Sequence, residues 1–270
     1  MTADRVTTLP AEHATVVLRP EGTSPFVLVC EHASNFIPPR YRGLGLADHH
    51  LVRHIAWDIS AAELTRRLSE RLDAPAFLAG FSRLLIDANR PPHAPSSIPS
   101  VSEDTPVPGN VDLSEAERSA RRRHFLEPFH ALITAHLDRR RHDARPTAVV
   151  GVHSFTPVFL GEVRPYHAGV LFDNAQAWGT AFAPLFREKA AWDVRLNQPY
   201  TVSQEEDYTA YVHGARRGLA ALLIEIRNDL LVAPDEIARR ANQIGDALEA
   251  SAAFALAQFP PTAASPASLA

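Results

Sequence analysis

Four apolar runs in this sequence end in side chains capable of acid–base or metal chemistry. FVLVC is followed by Glu31 and His32, RLLI by Asp87, Asn89 and Arg90, AVVGV by His153 and Ser154, and LAALLI by Glu225 with Arg227 two residues on. A further stripe, His50, His54 and Asp58, has the i, i+4 spacing of one helix face. Two imidazoles and a carboxylate make the three-ligand set of a catalytic Zn²⁺, which leaves its fourth position to water. His32, Asp58 and His153 are the expected metal triad. His54, Ser154 and Glu31 are candidates for backing it, and Glu31 is also open as a ligand. The same donors suit Co²⁺, Mn²⁺ or Fe²⁺, so the residue types specify one divalent ion without naming it. Taken singly, each residue has a plainer use: a strand-end His is commonly hydrogen-bonded in a core, and Asp58 serves equally as an arginine's partner.

Glu225 is the sharpest single residue. An ionised carboxylate between Ile224 and Ile226 is costly to bury unpaired, so it must face a cation or titrate with a raised pKa. Arg227, on the same side of the strand by alternation, is its structural alternative and otherwise a substrate contact. Beside activated water, such a carboxylate is the general base that takes a proton and later hands it to the leaving amine. Asn89 and Arg90 set a planar amide beside a guanidinium that grips carboxylates through two parallel hydrogen bonds. Arg83 and His213 are weaker candidates for polarising a carbonyl or binding a second carboxylate. Cys30, the only cysteine, excludes an intramolecular disulfide and any Cys-rich metal site, but it shares a strand face with His32 and is an alternative nucleophile. No Gly-x-Ser-x-Gly elbow is present.

To converge, these residues need a sheet whose strands exit at one edge. Apolar runs at 26–30, 75–79, 83–87, 147–152, 168–172, 192–196 and 219–226 read as strands. Helical spacing covers 47–72, 114–142 (opened by the capping box Ser114 to Glu117), 174–189, 207–217 and 234–258. The alternation predicts a single α/β domain over residues 1–258, its mostly parallel mixed sheet flanked by helices, with ligands beyond the carboxyl ends of the strands. Residues 88–113 hold six prolines and no periodicity, which marks a candidate lid. Residues 259–270, rich in Pro, Ala and Ser, read as a flexible tail. In a chain of 270 residues, a net charge of −4 and 46% hydrophobic content fit a soluble globular protein and argue against a nucleic-acid partner. The arginine clusters 121–123 and 139–141 read as a solvated helix face. No secretory signal or membrane-length apolar stretch is visible, so a cytoplasmic location is the expectation. Nothing bears on oligomeric state.

The blocks VCEHASNFIP, HIAWDISA, SRLLIDANRP, GVHSFTP, NQPY and LLIEIRNDL occur in this order, and together they resemble the N-formylglutamate amidohydrolase family, relatives of the zinc carboxypeptidases and aspartoacylases. The resemblance spans roughly residues 26–230. It implies a zinc-exopeptidase-like fold and a metal-dependent hydrolase cleaving the amide of an N-acylated acidic amino acid, typically N-formylglutamate in histidine breakdown. By position it implies His32, Asp58 and His153 as metal ligands, Glu225 as the catalytic carboxylate, and Asn89 with Arg90 as the carboxylate grip. Better-known deformylases of this family have a Pro-His-Ser-Gly type turn where this chain has Glu31-His32-Ala33-Ser34. The resemblance therefore bears more on the reaction class than on the formyl group. A carboxypeptidase-like peptidase, a cell-wall amidase, another deacylase and a non-catalytic metal-dependent binder are the alternatives.

Overall fold

The computed structural model describes residues 15–258; the tail expected at 259–270 lies outside the described residues. Its strands are β1 (Val16–Leu18), β2 (Phe26–Cys30), β3 (Ala76–Leu78), β4 (Val101–Ser102), β5 (Thr105–Pro106), β6 (Ala148–Phe155), β7 (Val158–Phe159), β8 (Glu162–Val163), β9 (Ala168–Leu171), β10 (Val194–Leu196) and β11 (Ala221–Arg227). The α-helices are α1 (Asp48–Leu51), α2 (Ala61–Leu72), α3 (Glu115–Arg121), α4 (Glu127–His142), α5 (Gln176–Ala190) and α6 (Pro234–Gln258).

Seven strands form the central sheet in the order β1-β3-β2-β6-β11-β9-β10. β3, β2, β6 and β11 run parallel to their neighbours, as do β9 and β10, whereas the β1·β3 and β11·β9 pairs are antiparallel. The expected mostly parallel mixed sheet is therefore present. Every residue of β2 and β6 is buried, which is why FVLVC and AVVGV read as unbroken apolar runs before the polar residues at their ends. One face packs on α2, α5 and α6 through Leu64, Leu68, Trp178, Phe182, Ile237 and Ile244. The other packs on α4 through Phe129 and Ile133, and on a buried turn that carries Leu84, Leu85 and Ile86.

That turn corrects the strand expected over 83–87. A short apolar run looks alike whether it is a buried strand or a buried turn. Here the Ser82 hydroxyl accepts from the Leu84 amide and donates to the Ala56 carbonyl, and the Leu85 amide donates to the Ser82 carbonyl. This local bonding closes a turn in place of a ladder. The helix expected over 47–72 is likewise interrupted between α1 and α2, with Ser60 at a φ of 66° just before α2 begins. The helix over 114–142 is present with the expected cap, the Ser114 side chain accepting from the Glu117 amide, and with a π-helical turn at Arg122–Leu126 joining α3 to α4. The helix expected over 207–217 is present in irregular form, as a π-helical turn at Ala210–Gly214 running into a 3₁₀ turn at Ala215–Arg217.

The arginine clusters are a solvated face only in part: Arg123, Arg139 and Arg141 are exposed, but the others turn inward. Arg121 and Arg140 are 2% and 1% exposed. Arg121 donates to the carbonyls of Leu85 and Gly109 and to Asn110; Arg140 donates to those of Ser24 and Pro146 and to the Thr147 hydroxyl. Buried guanidinium groups with this many acceptors staple loops to the sheet. Asn110, held by Arg121, in turn donates to Leu84 and Pro99, so the proline-rich stretch 88–113 is tied down at its far end.

Candidate active site

The three adjacent parallel strands β2, β6 and β11 deliver their polar residues to one edge. Glu225 of β11 sits in register with His153 of β6, and β2, bearing Glu31 and His32 at its exit, lies on the other side of β6. Asp58 arrives from the interruption ahead of α2. Its amide donates to the His32 carbonyl, and the Ser154 hydroxyl donates to the Ile59 carbonyl, so this turn is sewn to both strands. A continuous helix would have kept Asp58 in line with His50 and His54. The interruption turns it inward and leaves His50 on the surface, its ring tilted against that of His49.

The three side chains converge. Asp58 Oδ2 lies 3.3 Å from His32 Nδ1 and 2.9 Å from His153 Nδ1, and one ligand atom from each residue falls within 4.8 Å of the others. In a tetrahedral site with ~2.05 Å bonds, neighbouring donors stand ~3.3 Å apart. Each imidazole also has a carboxylate behind its far nitrogen: Asp87 Oδ1 at 2.7 Å from His32 Nε2, and Glu31 Oε2 at 3.2 Å from His153 Nε2. The Asp87 hydrogen bond fixes which nitrogen of His32 points inward, as in carboxylate–histidine–zinc arrangements, while Glu31 stands at ion-pair distance from His153 without a hydrogen bond. Glu31 is thus placed behind His153 and not among the converging donors. Arg83 spans the carboxylates, with Nη2 2.8 Å from Asp87 Oδ2 and Nη1 3.4 Å from Asp58 Oδ1; the turn at 82–85 is what brings Arg83 and Asp87 side by side.

The charges set the direction in which each group's pKa moves. Burial alone would raise the carboxyls, but His153 holds Glu31 down at about 2, His32 and His153 hold Asp58 low, and Arg83 with His32 holds Asp87 well below the carboxylate range. Three negative charges therefore face one guanidinium, and two remain to be neutralised. Without a metal that role falls to the imidazoles: burial opposes their protonation, but Asp87 and Asp58 raise His32, and Glu31 and Asp58 raise His153 well above its usual value. One divalent cation with two neutral imidazoles balances the same charge. The donor set fits such an ion.

Glu225 is 5% exposed, and burial pushes its carboxyl up to about 7. Its expected alternative partner is elsewhere: Arg227 bonds Asp229 and the carbonyls of Arg164, Pro165 and Tyr166. Glu225 instead has Tyr200, whose hydroxyl is 3.3 Å from both Glu225 Oε1 and Asp207 Oδ1; Glu225 Oε2 is buried without a hydrogen-bond partner. Gly169, the other neighbour of Glu225 across the sheet, makes room for this: a Cβ there would overlap the Gln198 carbonyl, just before Tyr200. A cavity of about 200 Å³ opens onto His32, Asp58, His153, Glu225, Tyr200, Arg83, Asn89, Arg90 and Arg164, among others.

Some expected residues have other duties. Asn89 donates to Asp207 and accepts from the Thr209 amide, and Arg90 pairs with Glu206 at 2.7 Å, so both border the cavity while gripping the 200–209 loop. His54 lines the cavity and pairs at 3.1 Å with Glu103 of the 88–113 stretch. His213 is fully buried away from the cavity. Its Nε2 donates to His130 Nδ1 at 2.9 Å, because His130 Nε2 is occupied with the Ala88 carbonyl, and burial lowers the pKa of both rings. Cys30 is fully buried and outside the cavity lining, and burial with Asp58 and Glu31 nearby keeps its thiol protonated, which removes it as a nucleophile. Tyr200, Asp207 and Arg164 were missed. Tyr200 lies in the NQPY block, but Asp207 and Arg164 sit in irregular segments whose composition carries no signal.

The family model for N-formylglutamate amidohydrolase matches residues 24–232, which contain every residue named at the site. Among solved structures, a gene product of Agrobacterium tumefaciens is 38% identical with a TM-score of 0.86, over 92% of this chain and 98% of that one. The N-formylglutamate amidohydrolase from Ralstonia eutropha JMP134 is 18% identical with a TM-score of 0.69, over 88% and 97%, and so shares the fold. No curated protein matches. The chain belongs to the N-formylglutamate amidohydrolase family.

Proposed function

We propose that this protein is a metal-dependent amidohydrolase that cleaves the amide of an N-acylated acidic amino acid, with N-formylglutamate as the first substrate to test. The observation that carries this reading is the pairing of a balanced His–Asp–His donor set with a carboxylate, Glu225, poised to titrate near neutrality on the same small cavity. His32, Asp58 and His153 would hold one divalent ion, Zn²⁺ by preference of the donors and Co²⁺, Mn²⁺ or Fe²⁺ by tolerance. When bound, such an ion lowers the pKa of coordinated water toward ~7 and polarises a carbonyl.

The chain's own residues supply the rest. Glu225, ionised, takes the proton of the attacking water and returns it to the departing amine nitrogen, while Tyr200 orients the carboxyl by donating to Oε1. Arg83, anchored on Asp58 and Asp87, faces the cavity and would help stabilise the developing oxyanion, a role worth ~3 kcal/mol per donor in comparable sites. Arg90 and Asn89 hold the 200–209 loop against the cavity and border the bound amino acid. Arg227 and His213 are bracing residues in this reading. The cavity is smaller than the ~300–1,000 Å³ of pockets for drug-sized ligands, which favours a single small metabolite over a polymer.

Turnover of N-formyl-, N-acetyl- and peptide-linked glutamate by zinc-loaded protein, with and without a chelator, tests the proposal. Chelator-sensitive release of glutamate from the N-formyl compound is expected. Activity that is indifferent to chelation, or confined to the peptide substrates, would overturn it.

A further inference from the structure

Three arginines line the cavity, and their charges are not equally available. Arg83 spends its charge on Asp58 and Asp87, and Arg90 on Glu206. Arg164 has no carboxylate partner among the described residues. Its guanidinium instead lies over two aromatic rings, 4.6 Å from the centroid of Phe159 and 5.7 Å from that of Phe155, both of which also line the cavity. Stacking of this kind holds the planar fork in one orientation while leaving its N–H edge free for a planar anion. The backbone beneath it is braced from the sheet, since Arg227 at the end of β11 donates to the carbonyls of Arg164, Pro165 and Tyr166 at 3.2–3.4 Å. An unpaired, half-buried cation on the wall of this cavity, beside two arginines whose charges are already matched, calls for an anionic ligand.

We infer that Arg164 is the residue that receives a substrate carboxylate, so that this arginine, and not Arg90, selects acidic N-acyl amino acids. The inference rests on the amidohydrolase reading above. A carboxylate on Arg164 adds a charge-assisted contact without displacing an existing ion pair, whereas one on Arg90 would have to compete with Glu206. It also accounts for Arg227, whose contacts fix where Arg164 starts from.

The test compares kcat/KM for N-formyl-L-glutamate with that for its two neutral isosteres, N-formyl-L-glutamine and N-formyl-L-glutamate α-amide, in wild type, Arg164→Gln, Arg164→Lys and Arg90→Gln. Because the acid-to-neutral ratio is taken within each variant, partial misfolding cancels. The ratio against one isostere is expected to fall about 10- to 100-fold in Arg164→Gln, chiefly through KM for the acid, with part of it kept in Arg164→Lys. A ratio within threefold of wild type for both isosteres overturns the inference alone, as does a collapse in Arg90→Gln that Arg164→Gln lacks. A wild-type enzyme that turns over neither these compounds nor their N-acetyl counterparts overturns the amidohydrolase reading and the inference with it.

Discussion

Replacing Glu225 by glutamine separates catalysis from stability in a way the geometry makes quantitative. Glu225 is buried beside Ile224 and Ile226, and its carboxyl is raised from 4.5 to about 7 because burial penalises the charged form. A group whose folded pKa is raised contributes its full stability below the unfolded value and loses it as pH climbs through the folded one. The gap of roughly 2.5 units at ~1.36 kcal/mol each puts the cost of ionising Glu225 at about 3 kcal/mol above neutrality and near zero at about pH 4. Glutamine has the same shape and never ionises. In chelated protein, Glu225→Gln should therefore match wild type at about pH 4 and exceed it by about 3 kcal/mol at about pH 8, a rise in Tm of roughly 6–10 °C for a chain of this size. Denaturant titration at both pH values measures the gain. In the metal-loaded protein the gain should shrink, since a nearby cation offsets the cost, while turnover falls about 10²- to 10⁴-fold for want of a base. A variant that keeps a tenth of wild-type activity, or whose stability tracks wild type within ~0.5 kcal/mol at both pH values, would falsify the assignment.

Three other outcomes follow from the same contacts. Tyr200→Phe removes a hydrogen bond that lowers the Glu225 pKa, so the rising limb of the pH–kcat profile should move to higher pH; an unmoved limb would show that Glu225 does not set it. Asp87→Asn weakens the support behind His32 Nε2 and should reduce zinc affinity about 10- to 100-fold, read by competition with a chromophoric chelator, with equal affinities contradicting the backing role. His213→Ala strips His130 of its buried partner and should cost about 1–3 kcal/mol in urea unfolding, whereas a KM effect without a stability effect would restore His213 to the substrate site.

The sheet and the centre of the site were legible because both rest on periodicity. Parallel strands covered on both faces must be unbroken apolar runs, and their exits fall on one edge, so His32, His153 and Glu225 stood out against Val and Ile neighbours. Asp58 stands out in the sequence on a helical stripe that the structure does not form; it reaches the site because the chain breaks its helix at 52–60. The run Arg83 to Asp87 misled in the same way, since burial makes a turn as apolar as a strand and only the Ser82 hydroxyl distinguishes them. Tyr200, Asp207 and Arg164 come from loops placed by single contacts, such as the clearance at Gly169 or the Arg227 brace, and such contacts leave no pattern along the chain. Glu31 was visible as a charge out of place, but only the position of His153 Nε2 shows what it is for.

Titration calorimetry of Zn²⁺ into chelated, dialysed protein near pH 7, repeated in buffers of different ionisation enthalpy, tests the central claim most directly. If His32, Asp58 and His153 hold the ion by the charge balance described, binding saturates at one ion per chain, releases up to about two protons as the imidazoles give up theirs, and disappears in Asp58→Ala. Absence of saturable binding, or undiminished binding in Asp58→Ala, would contradict it.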